Sequence, residues 1–182
     1  ADPRLDAMGY RCLMALQLAQ SYYRDDTIFE KIVGDAFDPP LSTTKQGAAY
    51  LISVPELLEP SAERIHMRGY SLQMLALLES HDIDYAFEYE SVAEQHGLHF
   101  LELPPEIDMS SEALGDLYST VSVRLDFRRF ASVTTEFEGE PVIYGMTIPR
   151  NTKHFEDAVE FVKFVIGREG RQILSEAHQP PL

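Results

Sequence analysis

At 182 residues the chain can build one sizeable core or two small lobes, and 45% apolar with 10% aromatic content describes a folded chain, not a disordered one. Thirty acidic against 15 basic residues leave a net charge of −15, which argues against nucleic acid, because phosphate contacts need a basic face. A small anion is not excluded: backbone donors in a cleft act locally, while surface carboxylates are screened over ~10 Å. No apolar run approaches the ~20 residues of a membrane span. The chain starts at Ala1 without a leader-like stretch, so it reads as processed or trimmed, and the start does not give its compartment.

In chain order, Asp2-Pro3 and Asp6 to Gly9 read as loop. A helix then runs from Gly9 to Tyr23, apolar around much of its circumference at Tyr10, Leu13, Met14, Leu16 and Leu18. Asp6 therefore delivers the chain into a helix N-terminus. Cys12, the single cysteine, reads as a small buried apolar residue and not a nucleophile. Thr27 to Val33 predicts a short helix, with Thr27 and Glu30 spaced as a capping box. Phe37 to Lys45, holding Pro39-Pro40, reads as loop. Ala48 to Val54 reads as a strand, and Pro55 to Pro60 as a turn.

The stretch Arg64 to Glu94 predicts one strand–turn–helix–strand unit. Ile65 to Met67 is a short apolar run, Gly69 to Ser71 breaks it, and from Leu72 apolar residues recur at helical spacing through Leu78. Ser71 stands where an N-cap belongs. After His81 the period becomes two, with Tyr85, Phe87 and Tyr89 on one face of a strand. The exposed helix N-terminus at the turn offers N–H donors and a positive dipole end to an anion. The plainer reading makes Ser71 only a helix cap and Tyr89 only a strand aromatic.

Beyond a turn at His96-Gly97, strands are expected at His99 to Leu103 and at Leu117 to Leu125. Arg128 to Glu138 reads as the hairpin partner of the latter, and P-V-I-Y-G-M-T-I from Pro141 to Ile148 as another strand. The last part is helical, with an apolar stripe through Phe155, Phe161, Val162 and Val165. Alternating strands and helices with an antiparallel hairpin indicate an α/β domain, in which ligands sit against helix N-termini at strand ends. H-E-x-x-H, G-x-S-x-G, G-x-x-x-x-G-K-[ST] and G-x-G-x-x-G are all missing, and H-G-L-H at His96 and His99 is a weak zinc pattern. Abundant carboxylates without an organised nucleophile or base do not make an enzyme. The pattern offers an anion pocket more readily than an active site.

The strings D-P-x-L-D-x-x-G-Y-R, L-Q-L-A-x-x-Y-Y, R-D-x-T-I-F, D-Y-x-F-x-Y-x-S-V-A-x-Q-H-G, F-x-E-L-P-x-E-I and P-V-I-Y-G-M-T-I-P-R-N follow one family in order. The chain resembles the tungstate- and molybdate-binding subunit of ABC importers, in the archaeal-type group of molybdate-binding proteins. The match covers almost the whole chain and is weakest at Val33 to Ile65 and Ile107 to Glu138. The resemblance implies a periplasmic-binding-protein-like (type II) α/β lobe, a central mixed sheet flanked by helices. It implies residues 1–140 as the second, inserted lobe of a two-lobed binder. Residues 141–182 would be the hinge return and C-terminal helices that pack on the first lobe. If that lobe is missing here, the stripe on the last helices needs another partner, and a dimer or domain swap is expected. The implied function is extracytoplasmic capture of tungstate or molybdate for a membrane permease and ATPase, with no cofactor. A transport subunit of this kind starts with a signal or lipoprotein sequence.

Position by position, Asp6 matches the carboxylate that approaches the metal of the oxyanion, and Tyr89 the tyrosine whose hydroxyl donates to an oxyanion oxygen. Ser71 stands where the group has a second carboxylate: R-G-Y-S-L-Q replaces R-S-M-E-M-D. Losing one carboxylate favours a four-coordinate oxyanion held by hydrogen bonds from the N–H groups of Ser71 and the Asp6–Ala7 loop, with the Tyr89 hydroxyl. Asp6 either still reaches the metal or simply caps the Gly9 helix. The competing readings are a ligand-sensing domain, a receptor for a different small anion, and a hydrolase using the acidic loops.

Overall fold

The computed structural model describes residues 1–127 and 135–179. They form two compact units, one of Ala1–Glu88 with Leu103–Val142, the other of Tyr89–Glu102 with the chain from Ile143.

The first unit is built around α1 (Ala7–Tyr23) and a mixed sheet in the order β2 (Ser42–Gln46), β3 (Ala49–Pro55), β5 (Val121–Asp126), β6 (Thr135–Glu138). A two-stranded ribbon of β1 (Phe37–Asp38) and β4 (Glu59–Pro60) stands apart from that sheet. Strands β2 (Ser42–Gln46) and β3 (Ala49–Pro55) form an antiparallel hairpin, turned at Gly47 with φ +67, a backbone state that glycine adopts without strain. Strand β3 runs parallel to β5 (Val121–Asp126), pairing Tyr50 with Val121 and Val54 with Leu125, and β5 pairs antiparallel with β6 (Thr135–Glu138). Val121, Val123 and Leu125 fall on one face of β5 and are buried there, the period-two pattern expected of that stretch. Leu13, Met14, Leu16 and Leu18 of α1 pack into the same core with Ile52 and Val54. Eight consecutive residues of α1, Leu13 to Gln20, are buried, the polar Gln17 and Gln20 among them, as in a helix enclosed on all sides.

Several expected elements take other forms. Phe37 to Lys45, read as loop, supplies β1 and most of β2. Its exposed polar strand Ser42–Gln46 gave no apolar period, and pairing with β3 alone makes it a strand. The capping box at Thr27 does not form: the Thr27 hydroxyl and N–H both donate to Asp25, and a π-helical turn follows at Glu30–Gly34. Leu117 and Ser119 do not join β5, because α4 (Pro105–Asp108) and α5 (Gly115–Tyr118) precede it. The buried Tyr118 hydroxyl holds that segment by donating to the Pro105 carbonyl at 2.5 Å.

Ile65–Met67, Tyr85–Tyr89, His99–Leu103 and Pro141–Ile148 are in no strand, so the expected strand–helix–strand unit keeps only its helix, α2 (Gln73–Glu79). Alternation confers a preference for extended backbone, but a strand exists only where a neighbour pairs with it. Part of the expected hairpin partner, residues 128–134, lies outside the described residues.

The second unit comprises α3 (Glu90–Gln95), α6 (Phe155–Ile166) and α7 (Arg168–Glu176). A Cβ on Gly170 would fall 2.3 Å from the Val165 carbonyl oxygen, so only glycine lets α7 start against the end of α6. Gln95 donates to the Ala177 carbonyl at 2.5 Å and His178 Nδ1 lies 3.1 Å from Glu94, which tie α3 to the end of α7. The expected stripe on α6 is present and unburied, with Phe155 and Phe161 largely exposed.

Candidate functional site

One carboxylate joins the N-terminal loop to the residues before α2. Asp6 is the N-cap of α1, and its Oδ1 accepts from the Met8 N–H at 2.9 Å. Its Oδ2 accepts from the Ser71 N–H at 2.7 Å, across 65 residues of sequence. Asp6 is thus a helix cap, one of the two roles left open by the sequence, and also a bridge that no local pattern announces. Each ionised oxygen keeps a lone pair beyond these bonds.

Ser71 is buried, and it does not cap α2: Leu72 is the N-cap residue and no side chain bonds to the first turn. Its N–H is engaged by Asp6, whereas its hydroxyl makes no hydrogen bond among the described residues. Ala7 is the first residue of the 17-residue α1. The next two N–H groups are filled by Asp6, Met8 by the side chain and Gly9 by the carbonyl at 3.0 Å. The Ala7 N–H has no partner among the described residues. It is an open donor at the positive end of a long helix dipole.

A cavity of about 190 Å³ lies against this loop, lined by Arg4, Asp6, Ala7 and Tyr10, with Leu125 and Phe137 as its apolar wall. That is below the ~300–1,000 Å³ of clefts for drug-sized ligands, and it suits a small solute. Tyr10 and Phe137 stack, ring centroids 4.3 Å apart. The same two rings also line a cavity of about 230 Å³, which holds Arg11 against Glu136, Glu138 and Glu140. Three carboxylates against one guanidinium make that space unfavourable for an anion.

Asp2, read only as loop in the sequence, and Arg4, which carried no reading there, hold the Asp6 loop in place. Asp2 is buried, and its Oδ1 accepts from both N–H and Nε of Arg4 at 2.9 Å, its Oδ2 from Nη2 at 2.6 Å. Arg4 also donates to the carbonyls of Glu56 at 2.7 Å and Leu58 at 3.2 Å. The signal that could have found them is the D-x-R spacing: an Asp accepting from the N–H two residues on makes an Asx turn. Burial alone would raise the Asp2 pKa, but hydrogen bonds from Arg4 and its charge outweigh burial and lower it below 3.8. A carboxyl with a depressed folded-state pKa adds stability above its unfolded value, lost as pH falls through the folded one. Acid unfolding of Asp2→Asn should therefore differ in slope from the native protein only below about pH 4, as read by urea titrations across pH.

Tyr89 belongs to the second unit, where it is half-buried. It is the N-cap residue of α3, and its carbonyl accepts from Val92 at 3.0 Å and Ala93 at 3.1 Å. Asp6, Ala7 and Ser71 are therefore brought together in the first unit. His96 and His99 join no cluster: among the described residues, no three or more His, Cys, Asp or Glu could share a metal ion. Cys12 is half-buried and free, and burial pushes its thiol up to about 12, too high for a nucleophile at neutral pH.

An α/β unit with a small cavity at the head of its central helix, where the Ala7 N–H is an open donor, is the build of a solute-binding domain. The chain belongs to the bacterial extracellular solute-binding protein family, whose profile it matches over residues 1–178. It is 37% identical over its whole length to an uncharacterized solute-binding protein of Methanoculleus marisnigri, covering 50% of that protein. It is 34% identical to the molybdate/tungstate-binding protein WtpA of Thermococcus kodakarensis and 33% to that of Pyrococcus abyssi. Each match spans 98% of this chain, and 47% and 48% of those proteins respectively. The chain thus spans about half the length of the curated relatives it matches. Among the described residues, no helix is long and apolar enough to cross a membrane.

Proposed function

We propose that this chain carries oxyanion-contacting residues of a receptor that captures tungstate or molybdate for a membrane permease and ATPase. The observation that carries the reading is the open Ala7 N–H at the head of α1, beside a small cavity that Asp6 also lines, with the Ser71 hydroxyl a second open donor at the far end of the Asp6 bridge. Hydrogen bonds to a charged ligand contribute ~1.5–3 kcal/mol each, so a few such donors suffice. Tyr89 is proposed as a further hydroxyl donor. Asp6 is the one carboxylate of the set, which favours a four-coordinate oxyanion and repels further negative charge. Two of the relatives carry the molybdate/tungstate-binding name, which supports this ligand class. The division into an inserted lobe at 1–140 and a return at 141–182, and an extracytoplasmic site reached through a signal or lipoprotein leader, belong to the same reading.

The departure at Ser71, where the resembled group carries a glutamate, favours one second reading, a receptor for another small anion. Calorimetric titration of the natural full-length protein with tungstate, molybdate, sulfate and phosphate separates the two. Tight binding of a metal oxyanion with weak sulfate binding is expected. Heat from sulfate or phosphate alone would replace the ligand and leave only the solute-binding class.

A further inference from the structure

The N-terminal loop is fastened at more points than a six-residue surface loop needs for its own fold. Asp2 engages both its own loop and the segment at Arg68. Its N–H donates to the Arg68 carbonyl at 2.7 Å, and its carbonyl accepts from the N–H groups of Leu5 at 3.1 Å and Asp6 at 3.0 Å. Its carboxylate takes three bonds from Arg4, whose remaining reach is fixed on the carbonyls of Glu56 and Leu58 between β3 and β4. The loop's own carbonyl thus orients the Asp6 backbone, while the Arg68 contact anchors the segment three residues before Ser71. Both ends of the Asp6–Ser71 bond are placed by one residue, and that residue is placed by Arg4.

We infer that Asp2 and Arg4 are positioning residues that set oxyanion affinity by holding the Asp6 carboxylate on the Ser71 N–H, a role whose ligand part rests on the oxyanion reading above. Arg4 lines the same cavity, but its guanidinium is committed to the Asp2 carboxylate and the carbonyls of Glu56 and Leu58, so its part is to position Asp6. The guanidinium is a planar fork with five N–H donors, which lets one side chain hold a carboxylate and two carbonyls at once; an ammonium cannot match that geometry. Because Asp2 and Arg4 neutralise each other, the clamp adds no net charge beside a site meant for an anion. Rigid support of this kind keeps contacting groups in binding geometry before the ligand arrives.

The test uses Asp2→Asn and Arg4→Lys, read two ways. The first readout needs no ligand: the amide proton of Ser71, bonded to a carboxylate, resonates downfield. In both variants it should move upfield, with amides of the β3–β5 ladder such as Tyr50 and Val121 unmoved. The second is tungstate titration, where loss of a supporting residue should weaken affinity about 10- to 100-fold. If Asp2→Asn does not fold, Arg4→Lys, which keeps the charge and a single donor point, reads the same amides. An unmoved Ser71 amide, or a change spread evenly over the sheet, would overturn the positioning role. An upfield Ser71 amide without tungstate binding by the native protein would support the clamp and overturn the oxyanion reading.

Discussion

Gly9→Ala should destabilise the protein by about 2–4 kcal/mol and detach the N-terminal loop from α1. A methyl group added at Gly9 would lie 2.5 Å from the Pro3 nitrogen and 2.6 Å from both the Ala1 oxygen and the Asp2 carbonyl carbon. All three are backbone atoms, so no rotamer change relieves the contact. Alanine in place of glycine would by itself favour the helix by up to ~1 kcal/mol, and the overpacking penalty outweighs that gain. The displaced segment carries Asp2, Arg4 and Asp6, so loss of the Ser71 contact should accompany the loss of stability. Gly145→Ala is the control, because nothing lies within 4 Å of its added methyl. Urea denaturation of both variants measures the difference; equal midpoints would refute the close packing of loop on helix.

Asp6→Ala should lower stability by about 2–4 kcal/mol, combining a lost helix cap of ~1 kcal/mol with a lost charge-assisted bond of ~1.5–3 kcal/mol. Asp6→Asn separates the contributions. Its amide oxygen can still accept from Met8, but its amide nitrogen cannot accept from Ser71, so it should recover the cap and not the bridge. On the oxyanion reading, tungstate affinity should fall at least about tenfold in both variants, the equivalent of ~1.4 kcal/mol. Stability lost in Asp6→Ala with unchanged affinity would remove Asp6 from the ligand site and leave it a structural cap.

How much of this was legible from the chain differs by element. Helix α1 was legible because its apolar residues crowd around much of its circumference, and burial of Leu13, Met14, Leu16 and Leu18 follows from that pattern, whereas burial of Gln17 and Gln20 does not. Strand β5 was legible over Val121, Val123 and Leu125, where period two coincides with a buried face. The same alternation at Tyr85, Phe87 and Tyr89 gave no strand. Conversely, Ser42–Gln46, polar and exposed throughout, became one because β3 lies alongside. Side-chain period reports which face is buried; it does not report whether a partner strand is within hydrogen-bonding reach.

The collinear motifs pointed to the class of protein through their resemblance to one family, while the acidic charge argued only against nucleic acid and the alternating pattern gave only an α/β domain. The sequence also placed Asp6, Ala7 and Ser71 at the mouths of helices. What those groups bond to follows from the packing of distant segments. The Ser71 N–H, read as a ligand donor, belongs to a carboxylate 65 positions earlier in the chain, and the Arg4 guanidinium to carbonyls of Glu56 and Leu58. Hydrogen-bond partners so far apart are chosen when β3 and α1 pack into one core, and local periodicity carries no trace of that choice.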